Sequence, residues 1–196
     1  MRLSAAEPGL FESLRSALER RALVVMPCDT IYGIVGIAPD TEAALRRIKG
    51  RGEKSFLRLI PSSDWLSRFS DASLPESLQR YWPGALTIIF PGRQSPGTTV
   101  ALRVPDDPLL LRLMESLDRA LFSTSVNRSG EPSLWRIGDI FERFGDRVGV
   151  IVDAGDRPGG VPSTVLDTTG SPYRVLRRGA VELPDELLGR RPEESP

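Results

Sequence analysis

Hydrophobic positions along the chain switch repeatedly between helical spacing and short strand-like runs. Leu10, Phe11, Leu14 and Leu18 predict a helix over Pro8 to Arg20, with Pro8 suited to a first turn. The whole N-terminal stretch, MRLSAAEPGLFESLRSALERR, carries acidic residues and no apolar h-region, so it reads as helix of the mature protein rather than as a signal peptide. ALVVM from Ala22 to Met26, ended by Pro27, predicts a buried strand, and CDTIYGIVGIAPD after it a loop or glycine-broken strand. Ala44, Leu45 and Ile48 mark a helix over Thr41 to Lys49 that Asp40 or Thr41 can cap. A strand over Phe56 to Ile60 and a helix over Leu74 to Trp82, stopped by Pro83-Gly84, come next. Leu86 to Phe90 and Thr98 to Val104 read as strands, and Pro108 to Leu117 as a helix. Ala120 to Ser125 reads as a strand running into the turn cluster Asn127-Arg128-Ser129-Gly130, and Ile137 to Phe144 as a helix. Val148 to Asp153, Val161 to Asp167 and Tyr173 to Arg177 are further strands. From about Pro184 a short helix precedes a polar tail expected to be disordered.

This interleaving, without a regular βαβ series, predicts one α/β domain with a twisted, mixed parallel and antiparallel sheet and flanking helices. Strands near 86–104 and 148–177 lack intervening helices, so parts of the sheet should be antiparallel. The body is expected over residues 1–183, with 184–196 as a C-terminal tail. A chain of 196 residues is long enough for one core and short for two. No apolar run approaches the roughly 20 residues that cross a bilayer, so no membrane partner is expected.

Charge and composition then narrow the chemistry. Lysine plus arginine and aspartate plus glutamate each number 26, so no basic excess advertises a nucleic-acid binder, although a local patch is compatible with that balance. Cys28 is the lone cysteine, which excludes an intramolecular disulfide and fits a reducing, cytoplasmic setting. Histidine is absent, which excludes Ser-His and Cys-His nucleophile pairs, an imidazole base and His-containing zinc sites. Lysine, arginine, carboxylates, hydroxyls, backbone amides or a bound metal must do any chemistry. There is no GxxxxGK[ST], GxGxxG or CxxC, so an ATP site would be of another kind.

Four segments concentrate candidate groups just beyond strand or helix ends, where ligands of open α/β sheets tend to sit. Pro27-Cys28-Asp29-Thr30-Ile31-Tyr32-Gly33 is either a ligand loop or a strand-end turn in which Asp29 caps amides. Lys49-Gly50-Arg51 suits a triphosphate, or simply supplies charge and a glycine cap at a helix C-terminus. Residues Ser123 to Ser133 (STSVNRSGEPS) are dense in phosphate-compatible donors, or form a polar turn. Pro162-Ser163-Thr164-Val165-Leu166-Asp167 with Arg177-Arg178-Gly179 opens a pocket or forms a hairpin with a solvated end, and Arg103 shares that ambiguity.

In order along the chain, PCDTIYGI, the helix ending in KGR, YWPGALTIIF, VALRVPDDP, STSVNRSGEPS, PSTVLD and LRRGAV resemble the YrdC/TsaC family of threonylcarbamoyl-AMP synthases, from about Ala22 to Val181. The chain resembles the short, single-domain form. The resemblance implies a YrdC-like fold with a large concave, positively charged cavity. It implies the activity of a nucleotidyltransferase: L-threonine, bicarbonate and ATP give L-threonylcarbamoyladenylate and pyrophosphate for the t6A modification of tRNA. ATP is then a substrate, with Mg²⁺ accompanying it, and tRNA threonylcarbamoyl-transfer proteins are the partners. Carried over, Lys49, Arg51, Ser125 and Asn127 form the catalytic tetrad. Thr30, Arg103, Ser123 and Ser163 bind threonine, and Arg51, Ser55, Thr99, Ser125, Ser133 and Arg177 bind ATP; no protein metal ligand is implied. The alternative is a non-catalytic YrdC-like protein that binds double-stranded RNA or tRNA. A third is a carbamoyl-adenylate enzyme with another acceptor, as in the YrdC-like domains of hydrogenase-maturation proteins. The chain departs from the family at Gly52, where Pro is usual, and at Arg58, which interrupts a normally apolar strand. Cys28 stands in place of Thr or Ser and Val126 in place of Ala, departures compatible with a divergent, YciO-like paralogue.

Overall fold

The computed structural model describes residues 1–50, 52 and 55–188. Its strands in chain order are β1 (Arg2–Ser4), β2 (Val24–Pro27), β3 (Tyr32–Ile37), β4 (Leu57–Leu59), β5 (Leu86–Pro91), β6 (Thr99–Arg103), β7 (Leu121–Ser125), β8 (Val150–Asp153), β9 (Thr164–Asp167) and β10 (Arg174–Arg177). The helices are α1 (Leu10–Glu19), α2 (Glu42–Lys49), α3 (Glu76–Gln79), α4 (Pro108–Leu117) and α5 (Ile137–Phe144), with 3-10 turns at Ser63–Arg68 and Asp185–Leu188. All ten strands join one sheet in the order β1-β8-β2-β3-β7-β4-β6-β5-β9-β10. Parallel pairs (β1/β8, β8/β2, β4/β6, β5/β9) mix with antiparallel ones (β2/β3, β3/β7, β7/β4, β6/β5, β9/β10).

Strand alternation sends successive side chains to opposite faces, and each face has its own core. On one face Leu10, Leu14, Ala17 and Leu18 of α1 and Leu110, Leu113 and Met114 of α4 pack on Val24, Met26, Val35, Ile37, Leu59, Leu121, Val150 and Val152. On the other, Leu45 and Ile48 of α2 and Ile140 and Phe144 of α5 join Val25, Ile34, Ile88, Leu102, Phe122 and Ile151. Leu183, Leu187 and Leu188 also pack against this second core.

Most expected elements are present within a residue or two of their expected bounds; α4 and α5 coincide with them. Residues 2–4 form the edge strand β1 instead of helix. Three residues carry no periodicity to read; β1 exists because β8 offers it a ladder, reinforced by the Met1 ammonium donating to Gly149 O at 3.0 Å and an Arg2–Asp153 ion pair at 2.5 Å. The glycine-broken segment is a strand after all: β3 is fully buried between β2 and β7. The helix expected over 74–82 shrinks to the single turn α3, because Trp82 turns inward and donates its indole N–H to Leu86 O at 2.7 Å. Neither expected cap closes α2. Thr41 Oγ1 donates to Ile37 O at 2.9 Å, and Asp40 pairs with Arg21 and Arg119. Strands 148–153 and 164–167 are not sheet neighbours; antiparallel pairing in that region joins β9 to β10. The polar tail beyond residue 188 lies outside the described residues.

Glycine at position 36 is demanded by packing. A methyl group there would stand 2.4 Å from Thr41 Oγ1 and 2.7 Å from Leu23 Cδ2. Gly36→Ala should therefore destabilise the fold by about 1–3 kcal/mol, read as a lower midpoint in urea unfolding; an unchanged midpoint would mean that β3 and the start of α2 are not packed this tightly.

Candidate active site

A cavity of about 850 Å³ opens on the face of the sheet that α1 and α4 leave uncovered beyond β3. Its floor is made of strand positions that alternate onto this face: Gly33, Leu57, Leu59, Thr87, Ile89, Ala101, Arg103, Ser123, Ser125 and Val165. The ligand space thus lies across the sheet face, not only at strand ends as the sequence reading expected. Apolar floor residues suit a flat ring, and the polar groups gather at two ends and one wall. A second concavity, of about 780 Å³, lies behind the 61–74 segment, lined by serines and Trp82, away from the cluster of cations.

At one end stands Lys49, the last residue of α2. Gly50 at φ 59° ends the helix in the left-handed conformation, and its N–H bonds back to Arg46 O and Arg47 O. Lys49 is only 3% exposed. Its ammonium donates to Ser125 O at 2.8 Å and to Asn127 Oδ1 at 2.5 Å. The same Oδ1 accepts Ser125 Oγ at 2.6 Å, and Asn127 Nδ2 donates to Glu131 O at 2.5 Å. The Ser129 N–H to Lys49 O bond, 2.9 Å, closes the turn onto the helix end. The solvated helix-end charge left open above is therefore ruled out: this lysine is buried and aimed.

At the other end Arg103, the last residue of β6, is 4% exposed. Its Nε donates to Gly84 O at 2.8 Å, its Nη2 to Asp29 Oδ2, and its Nη1 reaches Thr30 Oγ1 at 3.4 Å. On the wall, Arg177 donates from Nε and Nη2 to Ser163 O at 3.1 and 2.8 Å, and from Nη2 to Ser163 Oγ at 3.1 Å. Burial, with Arg103 close by, lowers the guanidinium pKa of Arg177 from its ordinary value. Gly179 keeps this wall tight, since a methyl group there would stand 2.2 Å from Pro162 O.

Of the expected site residues, Thr30, Lys49, Ser55, Arg103, Ser123, Ser125, Asn127, Ser133, Ser163 and Arg177 all line this one cavity. Thr99 does not; it sits exposed at the start of β6, two positions before Ala101 on the same strand face. Arg51 lies outside the described residues. The sequence reading missed Thr87, buried on β5 with its hydroxyl 2.8 Å from Ser163 Oγ. Its signal was a lone hydroxyl inside the apolar run LTIIF.

The described lining carries three cations, Lys49, Arg103 and Arg177, and one carboxylate, Asp29, already tied to Arg103. No group of three or more His, Cys, Asp or Glu among the described residues could hold a metal ion. These residues therefore do not themselves make a Mg²⁺ cage, and a divalent cation here would need the oxygens of its ligand's phosphates. No helix among the described residues is long and apolar enough to cross a membrane.

The Sua5_yciO_yrdC family model, described as telomere recombination, matches residues 16–179. The chain belongs to this family. A threonylcarbamoyl-AMP synthase of Bacillus subtilis is 31% identical over 193 residues, covering 91% of this chain and 56% of that protein. A putative threonylcarbamoyl-AMP synthase of Mycobacterium tuberculosis is 35% identical over 190 residues, covering 88% of this chain and 86% of that one. The chain spans about half the length of the Bacillus subtilis and Pyrococcus abyssi relatives, 56% and 51%. The crystal structure of Pyrococcus abyssi Sua5 complexed with L-threonine superposes with a TM-score of 0.82 at 27% identity, covering 96% of this chain and 60% of that one. Escherichia coli YciO shares the fold, with a TM-score of 0.78 at 22% identity over 93% of this chain and 95% of that one.

Cys28 sits at the cavity floor beside Gly33 but is inert. It is 5% exposed, and burial foremost, then the Asp107 and Asp29 charges, push its thiol up to about 12. At pH 8 that leaves only about one thiolate in ten thousand. Native protein should therefore resist iodoacetamide at pH 8 for hours and label fully once unfolded in urea; rapid native labelling would contradict the packing described.

Proposed function

We propose that this chain is an L-threonylcarbamoyladenylate synthase, converting L-threonine, bicarbonate and ATP to L-threonylcarbamoyladenylate and pyrophosphate. The observation that carries the reading is one cavity with a buried, oriented lysine at one end and a buried, fork-shaped arginine at the other. A nucleotide triphosphate and an amino-acid carboxylate each need such a partner, and their reacting groups meet between. The names of the relatives and the L-threonine held by Sua5 support the same reading.

In this reading Arg103, with Thr30, Ser123 and Ser163, binds the amino acid. Arg177, Ser55, Ser125 and Ser133 bind ATP, with Thr99 reaching it from outside the lining; Arg51, expected to join them, lies outside the described residues. The threonine amine and bicarbonate condense to the carbamate, forming a C–N bond as a C–O bond of bicarbonate breaks and water leaves, and the carbamate attacks the α-phosphorus. A P–O bond forms to the carbamate oxygen, and the bridge to the β-phosphate breaks as pyrophosphate leaves. No strong base is required once the carbamate has formed, which suits a chain without histidine. Lys49 supplies a positive charge where negative charge accumulates on the phosphoryl oxygens, and Ser125 O and Asn127 Oδ1 help hold it in place before substrate arrives. Asn127 and Ser125 keep that ammonium aimed. Mg²⁺ would enter on the phosphates of ATP and assist charge neutralisation. The product would serve the t6A modification of tRNA through a separate transfer protein.

The test is pyrophosphate release. It should require all three substrates and fall about 100-fold or more in Lys49→Ala, with melting temperature recorded alongside. Release that persists without L-threonine or bicarbonate would refute the assignment. Arg103→Gln should instead raise the L-threonine requirement while ATP-induced thermal stabilisation survives.

A further inference from the structure

Asp29 is the one carboxylate among the described lining of the cavity, and its setting is unlike that of a surface acid. Its side chain is 10% exposed and that of its partner Arg103 is 5% exposed. Oδ2 accepts both Arg103 Nη2 and the Asp106 backbone N–H, the latter at 3.1 Å. Oδ1 is buried with no hydrogen-bond partner among the described residues. Nearby, the carboxyl of Asp107 has a pKa raised above its ordinary value, by burial first and by the charge of Asp29 in addition. A buried pair with one oxygen unanswered and a second acid close by is a poor way to stabilise a fold. It is a good way to hold a guanidinium. Arg103 is fixed at Nε by Gly84 O and at Nη2 by Asp29, while Nη1 keeps only the long 3.4 Å approach to Thr30 Oγ1. Two anchors on separate nitrogens set the plane of the group, and the Nη1 end remains for a ligand.

We propose that Asp29 is the positioning residue of the amino-acid subsite, clamping Arg103 so that its Nη1 end takes the α-carboxylate of the substrate. The inference rests on the functional reading above. It concerns orientation, and it has a sign opposite to the simplest electrostatic alternative. A carboxylate bound at Arg103 lies within Coulomb range of Asp29 and is repelled by it. Were Asp29 only a counterion for Arg103, removing its charge would tighten binding. As a clamp, removing it loosens binding, because the charge-assisted bond that fixes the plane of Arg103 falls at best to a weaker one with a neutral amide oxygen.

Calorimetric titration of the full chain with L-threonine, with L-threoninamide, which lacks the carboxylate, and with ATP separates these outcomes. Asp29→Asn should weaken L-threonine about ten-fold or more, the worth of one charge-assisted hydrogen bond. Threoninamide and ATP should stay within about two-fold, since neither uses the clamped end of Arg103. In an Arg103→Gln background the same Asp29→Asn change should cost L-threonine nothing further. Unchanged or tighter L-threonine binding, or equal losses for acid and amide, would overturn the clamp and leave Asp29 as a counterion or a loop anchor. Should Asp29→Asn melt below the assay temperature, Asp29→Ser makes the same acid-to-amide comparison. Wild-type protein that binds ATP but no L-threonine would instead refute the functional reading itself, whatever Asp29 does.

Discussion

A lysine ammonium taken out of water must be met by oxygen atoms, and much of this site follows from how Lys49 is met. The helix that carries it has to stop at once, which Gly50 achieves in a left-handed conformation. β7 has to end with a carbonyl facing the helix end, which Ser125 supplies, and the chain has to double back so that Asn127 adds a second oxygen. The amide of Asn127 then needs its own acceptor and finds Glu131 O. Each bond satisfies a group that the previous one left exposed. The result is a turn that is rigid because its polar atoms have few other partners. Residues 49 and 125–131, far apart in the chain, therefore behave as one unit.

The same logic explains how a chain of zero net charge gathers three cations, Lys49, Arg103 and Arg177, and one carboxylate in the described lining of one cavity. Several surface arginines have acids close by, as in the pairs of Arg15 with Glu12 and Glu19 or of Arg46 with Glu42. Inside the cavity, the ammonium of Lys49 donates to a carbonyl and an amide oxygen and the guanidinium of Arg177 to a carbonyl and a hydroxyl oxygen, contacts that orient each cation. Only Arg103 has a carboxylate partner there among the described residues. Arg177 is partly desolvated and has Arg103 close by, and both lower its guanidinium pKa from the ordinary value. An anion between Arg177 and Arg103 would relieve that repulsion.

Sheet topology brings the two ends of the site within one ligand's reach. β6 lies between β4 and β5, and β9 lies on the far side of β5, so Arg103 and Thr87 come from adjacent strands and Ser163 from the residue that leads into the next. Ser163 is held on one side by Thr87 and on the other by Arg177. Glycine at 179 is what lets the Arg177 segment approach the Ser163 backbone closely enough for this. The apolar alternation of β4, β5 and β6 supplies the floor, so fold and site share the same strands.

Local pattern was enough for elements whose burial is periodic. α4, for instance, shows Leu109, Leu110, Leu113 and Leu117 at helical spacing behind Asp107, which caps Leu109 and Leu110 N–H at 3.0 Å. The presence of Lys49, Ser125, Asn127, Arg103 and Arg177 at segment ends was equally plain, and so was the absence of any histidine. What the chain alone left open was whether those groups face water or one another. Burial of Lys49, the partnership of Asp29 with Arg103, and the place of Thr87 depend on which strands become neighbours. Strand order is set by long-range packing that no short window of residues encodes. The edge strand β1, the single turn α3 and the outlying position of Thr99 were decided in the same way, by what the rest of the molecule happened to place beside them.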